Sequence, residues 1–266
     1  MKDQSLYQPG ESYLSRLRVV RSVSNDVETP QPMAIVGLPL CDLQALWYLD
    51  QVFAEDAHYQ ERRSRLFVAG ALCEPGPECR CDAALMPVAG DLVIGHDQVW
   101  ALSESGVELL MALACQMRDG CSLPWPEGPA LKRRTITAED LHAHRHAGIW
   151  TAEGDRCLSC GACSAVCPTC YCFDLSDAAE VNGSVNRQRL WDNCFFTEHG
   201  SVAGGFDFRA GRAARLRFRM EHKRLGFGEL RGMDDCVGCG RCRNVCPVDI
   251  DLDRIAAQLL TEGTDA

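Results

Sequence analysis

The residues CLSCGACSAVCP, Cys157 to Pro168, return as CVGCGRCRNVCP, Cys236 to Pro247. Each run spaces four cysteines as C-x2-C-x2-C-x3-C-P, a ligand pattern of paired iron-sulfur cubanes. Three cysteines three residues apart wrap a tight loop around one cubane. The fourth sits on a turn that Pro168 or Pro247 helps to terminate and reaches across to the other cluster. The spacing therefore assigns cluster one to Cys157, Cys160, Cys163 and Cys246, and cluster two to Cys236, Cys239, Cys242 and Cys167. Gly161, Gly238 and Gly240 let the backbone approach the inorganic sulfides, to which its N–H groups can donate. Zinc sites instead close a four-ligand knot from separated C-x2-C pairs, and two complete four-cysteine runs do not read that way. Cys163, Cys167 and Cys170 also spell C-x3-C-x2-C, the spacing of radical enzymes. Here the triplet is embedded in the longer run and lacks the repeated strands and helices of a barrel.

Composition supports metal ligation. Of seventeen cysteines in 266 residues, thirteen follow position 114, and they cluster at short spacings. A disulfide framework suits a small secreted chain, whereas the opening MKDQSLYQPGESYLSRLRVV carries charges throughout and reads as no export signal. No stretch has the apolar length of a membrane span. The expected location is the cytoplasm, where thiols stay reduced and available to metal. A net charge of -10 argues against nucleic-acid binding. Between Gly205 and Arg231, however, eight Lys and Arg residues face three acids. That pattern reads first as a solvated or partner-facing helix, although cluster thiolates would give nearby arginines a local reason to exist.

Upstream, MAIVGL (Met33 to Leu38) and LFVAGAL (Leu66 to Leu72) are short apolar runs, the pattern of strands buried on both faces. Asp42 to Arg63 reads as one helix between them, with Asp42 as N-cap or first-turn acid. Strand, helix and strand imply a right-handed βαβ unit with parallel strands. Two more short strands are expected at Asp91 to Ile94 and Gln98 to Leu102, then a helix from about Val107 to Met117. The segment CSLPWPEGP, Cys121 to Pro129, reads as a linker. The expected architecture is an α/β N-terminal domain over residues 1–130 and an α+β ferredoxin-like domain over 131–266. The second domain holds two [4Fe-4S] clusters and a long insertion between their motifs.

Cys41 follows the first strand at a helix start, and Cys73, Cys79 and Cys81 follow the parallel second strand. Parallel neighbours bring both loops to one carboxyl edge, where open α/β sheets build their sites, and a helix N-terminus favours a thiolate at Cys41. These four are candidates for a third cluster, and they also read as small buried side chains and loop thiols. Cys170, Cys172 and Cys194, with Cys115 and Cys121, remain unassigned: structural, a substitute ligand, or a fourth cluster with an oxygen or nitrogen ligand. His142, His144 and His146 read as part of a solvated helix or linker, since no second ligand set accompanies them.

The set GLPLCDLQALWYLDQVF, CEPGPECRC, CLSCGACSAVCPTCYCFD, WDNC, VAGGFDFR, FRMEHK and CVGCGRCRNVCP resembles the iron-sulfur beta subunit of sulfhydrogenase-type soluble [NiFe] hydrogenases. It is similar also to the electron-transfer subunit of anaerobic sulfite reductases. The likeness runs from about Ala34 to Asp251. It implies a subunit that passes electrons between a flavin subunit handling NAD(P)H and a separate catalytic metal subunit, most readily a hydrogenase. It also implies a third [4Fe-4S] cluster on Cys41, Cys73, Cys79 and Cys81. Where the family usually carries an arginine before the PCD-like motif, this chain has Leu38 and Leu40 around Pro39, a difference that bears on the charge around that cluster. No G-x-G-x-x-G after a strand, no Walker loop and no nucleophile elbow is present. The residues thus point to a one-electron wire. The competing reading is an enzyme whose N-terminal cluster or surplus cysteines form its own active centre.

Overall fold

The computed structural model of the protein describes residues 31–82, 86–118, 120, 122–125, 135–179, 181–226 and 230–262. These divide into two compact units. One comprises the described residues of 28–131 together with Val237–Cys239; the other comprises those of 132–236 and those from Gly240 onward.

The first unit is built on a four-stranded sheet in the order β1-β2-β3-β4: β1 (Met33–Pro39), β2 (Leu66–Ala71), β3 (Leu92–Ile94) and β4 (Val99–Ala101). β1 and β2 are parallel, β2 and β3 are parallel, and β3 and β4 form an antiparallel pair. α1 (Leu40–Val52) buries Leu40, Leu43, Leu46 and Tyr48 fully. It approaches β2 so closely that a Cβ on Gly70 would lie 2.6 Å from Leu43 Cδ1. Glycine at that strand position leaves room for the Leu43 side chain, which any larger residue would have to displace.

Three expectations need correction. β2 is buried, but among the described residues β1 is an edge strand, with Met33 and Val36 exposed; an apolar run gives its own length and not the number of strands beside it. The single helix expected from Asp42 to Arg63 is two. It begins at Leu40, ends at Val52 and resumes as α2 (Ala57–Arg63), because the Asp56 carboxylate accepts from Tyr59 N at 2.9 Å and caps a new start. The next helix, α3 (Glu104–Ala112), starts and ends earlier than Val107 to Met117, since Ser103 caps it through Gly106 N. Of the expected linker, Cys121 and 126–129 lie outside the described residues.

The second unit is mainly helical. α4 (Ala138–Ala143), α5 (Gly148–Arg156), the one-turn α6 (Ala162–Ala165), α7 (Arg212–Leu225), the one-turn α8 (Arg241–Asn244) and α9 (Leu252–Glu262) follow in order, with the hairpin β5 (Phe173–Ala179) and β6 (Val185–Trp191) inside the insertion. Its core joins Leu141, Trp150, Leu216, Met220, Ile255 and Leu259. α5 and α7 cross at Gly154, where a Cβ would fall 2.7 Å from Ala213 N. The basic stretch expected to be a solvated helix is α7, and Arg215, Arg219, Lys223 and Arg224 on it are buried. Arg215, Arg219 and Lys223 are four apart and share one face. Leu216 and Met220, beside them, fill the core. Charge on a helix signals water only when nothing inside needs it, and Arg219, Lys223 and Arg224 act on cysteines.

Candidate iron-sulfur centres

The two cysteine runs fold alike. Gly161 (φ 75°) and Gly240 (φ 71°) are left-handed N-caps of α6 and α8, each between the second and third cysteine of its run. Two residues earlier, Ser159 (φ 51°) and Gly238 (φ 69°) are left-handed as well. Backbone N–H groups reach the sulfurs: Ser159 N donates to Cys157 Sγ at 3.4 Å, and Ile250 N, after the left-handed Asp249 (φ 51°), donates to Cys246 Sγ at 3.3 Å. Asn193, fully buried in the WDNC segment, donates from Nδ2 to Gly161 O at 2.9 Å, while its Oδ1 accepts from Phe195 N at 3.0 Å. The insertion thus clamps the first run. Reading the cysteines alone missed Asn193, although WDNC was visible as a motif.

Cys157, Cys160 and Cys163 from the first run and Cys246 from the second line one cavity of about 520 Å3, open mouth included, which Cys242, Phe195, Leu216 and Arg219 also border. Its wall is largely apolar apart from the sulfurs and Arg219, a dry setting suited to thiolate ligands. Cys242 feels the charges of Cys236 and Cys167, so these three thiols are neighbours. Burial pushes the thiols of Cys163 and Cys242 up to about 11, and a hydrogen bond with Cys170, reinforced by burial, pushes Cys167 up to about 12. Ligation must therefore displace protons from these groups. Among the described residues no three His, Cys, Asp or Glu side chains meet as a single ion would require. The first-run set surrounds a volume instead, which fits a cubane held at its corners.

α7 supplies the surrounding charge. Arg212 Nη1 donates to Cys157 O (3.2 Å), and Arg219 donates to Cys163 O (3.0 Å), Ser164 Oγ (2.8 Å) and Cys170 Sγ (3.5 Å). Lys223 Nζ donates to Thr169 Oγ1 (2.9 Å), which contacts Cys167 Sγ at 3.4 Å, and pairs with buried Asp235 at 3.0 Å. Burial raises the Asp235 carboxyl to about 7 despite that lysine. Arg224 feels the charge of Cys236 and pairs with Asp253 at 2.7 Å. The unassigned Cys170 and Cys194 are buried beside this layer. Cys194 is held down to about 5, chiefly by a hydrogen bond from Cys172, whose own thiol that bond drives upward. Cys115 is exposed.

In the first unit, Cys41 lies in the first turn of α1 and is buried. Cys73 beside it is pushed upward by burial and by the Cys41 charge, and eased down by the N–H of Leu40. The loop carrying Cys79 and Cys81 is tied to α1 by fully buried Gln44, whose Nε2 donates to Asp82 O and Met86 O, both at 2.8 Å. Cys79 Sγ lies 3.9 Å from Cys239 O, and Arg80 N donates to Gly238 O at 2.6 Å. A Cβ at 238 would lie 2.3 Å from Arg80 O, which is why this left-handed position is glycine while its counterpart is Ser159. The direct thiol neighbours here are Cys41 and Cys73; Cys79 and Cys81 are placed by backbone. His142 and His146 stand beside Arg145 on the exposed side of the turn after α4, and His144 contacts Asp140 O at 2.8 Å.

Residues 156–250 match the family model of the 4Fe-4S dicluster domain. The chain is 28% identical to sulfhydrogenase 2 subunit beta of Pyrococcus furiosus, over 88% of this chain and 76% of that protein. The resemblance read from the cysteine runs and their flanking motifs is thereby borne out. No solved structure matches. No helix among the described residues is long and apolar enough to cross a membrane.

Proposed function

We propose that this chain, a homologue of a sulfhydrogenase beta subunit carrying a 4Fe-4S dicluster domain, is an electron relay with three [4Fe-4S] clusters. Cluster one is held by Cys157, Cys160, Cys163 and Cys246, cluster two by Cys236, Cys239, Cys242 and Cys167, and the third by Cys41, Cys73, Cys79 and Cys81. A cubane with four thiolate ligands accepts and releases one electron at a time and presents no open iron to a substrate. The observation that carries the reading is that Cys246, from the second run, borders the cavity of Cys157, Cys160 and Cys163. That supports crossed ligation, with the two clusters side by side. What remains for the chain's own residues is to hold the thiolates, exclude water and set the charge around them. The two ends of the relay then serve a flavin subunit handling NAD(P)H and a catalytic metal subunit, a hydrogenase by the name of the relative.

The test is anaerobic purification of the full chain with iron and sulfide analysis, followed by assay. About twelve irons are expected, against about eight if only the dicluster domain is loaded. NAD(P)H oxidation with an artificial acceptor should be absent until a flavin subunit is added. Robust activity in the flavin-free chain would overturn the relay.

A further inference from the structure

The cations of α7 are not equivalent. Lys223 is paired with Asp235 and Arg224 with Asp253. Arg219, only 3% exposed, has a hydroxyl, a thiol and a carbonyl as its hydrogen-bond partners, and makes no ion pair with a carboxylate among the described residues. A guanidinium does not lose its proton in a protein, so this is a permanent buried charge. Left without a counter-charge, such a group costs several kcal/mol. The sulfurs facing it are those of Cys163 and Cys167 in the first run and of Cys170 and Cys194 outside both runs. It borders the cavity of Cys157, Cys160, Cys163 and Cys246, and it acts on Cys163 of that set and on Cys167 and Cys242 of the other.

We propose that Arg219 is the shared counter-cation of the two dicluster-domain cubanes, a positioning residue whose charge favours the reduced state of both and so brings their potentials up together. This rests on the cluster assignment above. Four thiolates leave a cubane net negative, and the electron it accepts adds to that charge. A fixed positive group beside the thiolates of two cubanes lowers the free energy of reducing either one, and does so more strongly inside a protein than in water. Lys223 lies near Cys167 but is paired with Asp235, whose carboxylate offsets its charge when ionised. Its influence is correspondingly smaller.

The experiment is a potentiometric titration of the full chain, followed by low-temperature electron paramagnetic resonance, for wild type, Arg219→Gln and Arg219→Lys, with iron counted in each. Arg219→Gln should make both dicluster clusters harder to reduce, by about tenfold in the reduced-to-oxidised ratio at fixed potential, or about 59 mV for a one-electron couple. Arg219→Lys, which keeps the charge, should stay within a small fraction of that shift. Unchanged potentials in a fully loaded Arg219→Gln variant overturn the proposal, as does an equal shift in Arg219→Lys, which would make shape the cause. If Arg219→Gln does not retain iron, loading of Arg219→Lys alone supports the counter-charge, and failure of both variants overturns it. Wild type without the two dicluster cubanes would instead refute the cluster assignment itself.

Discussion

The two cysteine-bearing units present the same ligand chemistry in opposite electrostatic settings. Around Cys163, Cys167 and Cys242 the acting cations include Arg219, and Lys223 adds to it at Cys167. Around Cys73 the acting charge that is not itself a proposed ligand is the negative Asp42, and no cation among the described residues acts there. Cations stabilise a reduced cubane and anions oppose it, so identical ligation by four cysteines need not give identical potentials. The difference suits a relay: an electron entering at the N-terminal cluster would move downhill toward the dicluster pair.

The comparison breaks most decisively if its clusters are not where they are proposed. Cys79→Ser should remove about four of about twelve irons while leaving the spectra of the dicluster pair intact, because cubane assembly needs its thiolate set. Unchanged iron in that variant, prepared from a fully loaded parent, would make the N-terminal cysteines structural. Cys246→Ser should damage the cluster on Cys157, Cys160 and Cys163, with which it shares a cavity. Loss confined to the cluster beside Cys236 would refute the crossing.

Gly238 and Ser159 sharpen the contrast at the level of backbone. Both are left-handed, but only at 238 would a Cβ strike neighbouring backbone, Arg80 O at 2.3 Å. Gly238→Ala should therefore destabilise the first unit by about 2–4 kcal/mol, a backbone clash added to an unfavourable φ, and release N-terminal iron. Ser159→Gly should relieve strain and stabilise by up to about 1 kcal/mol. Thermal unfolding with iron counting reads both. A silent Gly238→Ala would separate the Cys79 loop from residues 237–239.

Much of this is legible in the sequence. The cysteine spacing reports a local loop, and the parallel β1–β2 pair and the β3–β4 hairpin follow from short apolar runs separated by turn residues. What the sequence conceals is non-local. β1 as an edge strand depends on what lies beside it, and no periodicity within MAIVGL carries that. Asp56 splits a helix because one carboxylate caps better than the chain continues. The cations of α7 read as solvated because their counter-charges lie far away in sequence, at Cys163, Cys167 and Asp235. The stripe Arg215, Arg219, Lys223 is nonetheless written at spacing four, alongside the apolar Leu216 and Met220. Gly238 stands apart from Ser159 in the aligned runs, yet its reason, the backbone of Arg80, appears only on folding.

A smaller effect should appear in the ordering of potentials. In the same titration the signal lost in Cys79→Ser should be the last of the three to reduce, because Asp42 acts on Cys73 while Arg219 acts on the dicluster thiols. The expected gap is at least about tenfold in the reduced-to-oxidised ratio, about 59 mV. If the N-terminal signal reduces first, the charges seen around Cys73 do not set its potential, and burial or hydrogen bonding to sulfide outweighs them.

The smallest effect belongs to a charge pair that lies in water instead of among thiols. On the β5–β6 hairpin Arg187 Nε and Nη2 donate to the Asp177 carboxylate, both at 2.7 Å, with the two side chains 66% and 45% exposed. The arginine holds the Asp177 carboxyl below its usual range. A depressed carboxyl contributes stability that is present above its unfolded pKa of about 3.9 and is lost as pH falls through the folded value, so any contribution should vanish only in acid. Water and salt screen so exposed a pair nearly to nothing at neutral pH. Arg187→Ala should therefore leave iron content, cluster potentials and the thermal midpoint at pH 7 unchanged within error, where Arg219→Gln shifts two potentials. The two arginines carry the same charge in the same unit, and burial beside thiolates is what separates them. A clear drop in midpoint for Arg187→Ala that persists at high salt would mean that the hairpin is held by more than its ladder, and that exposure is a poor guide to which charges matter here.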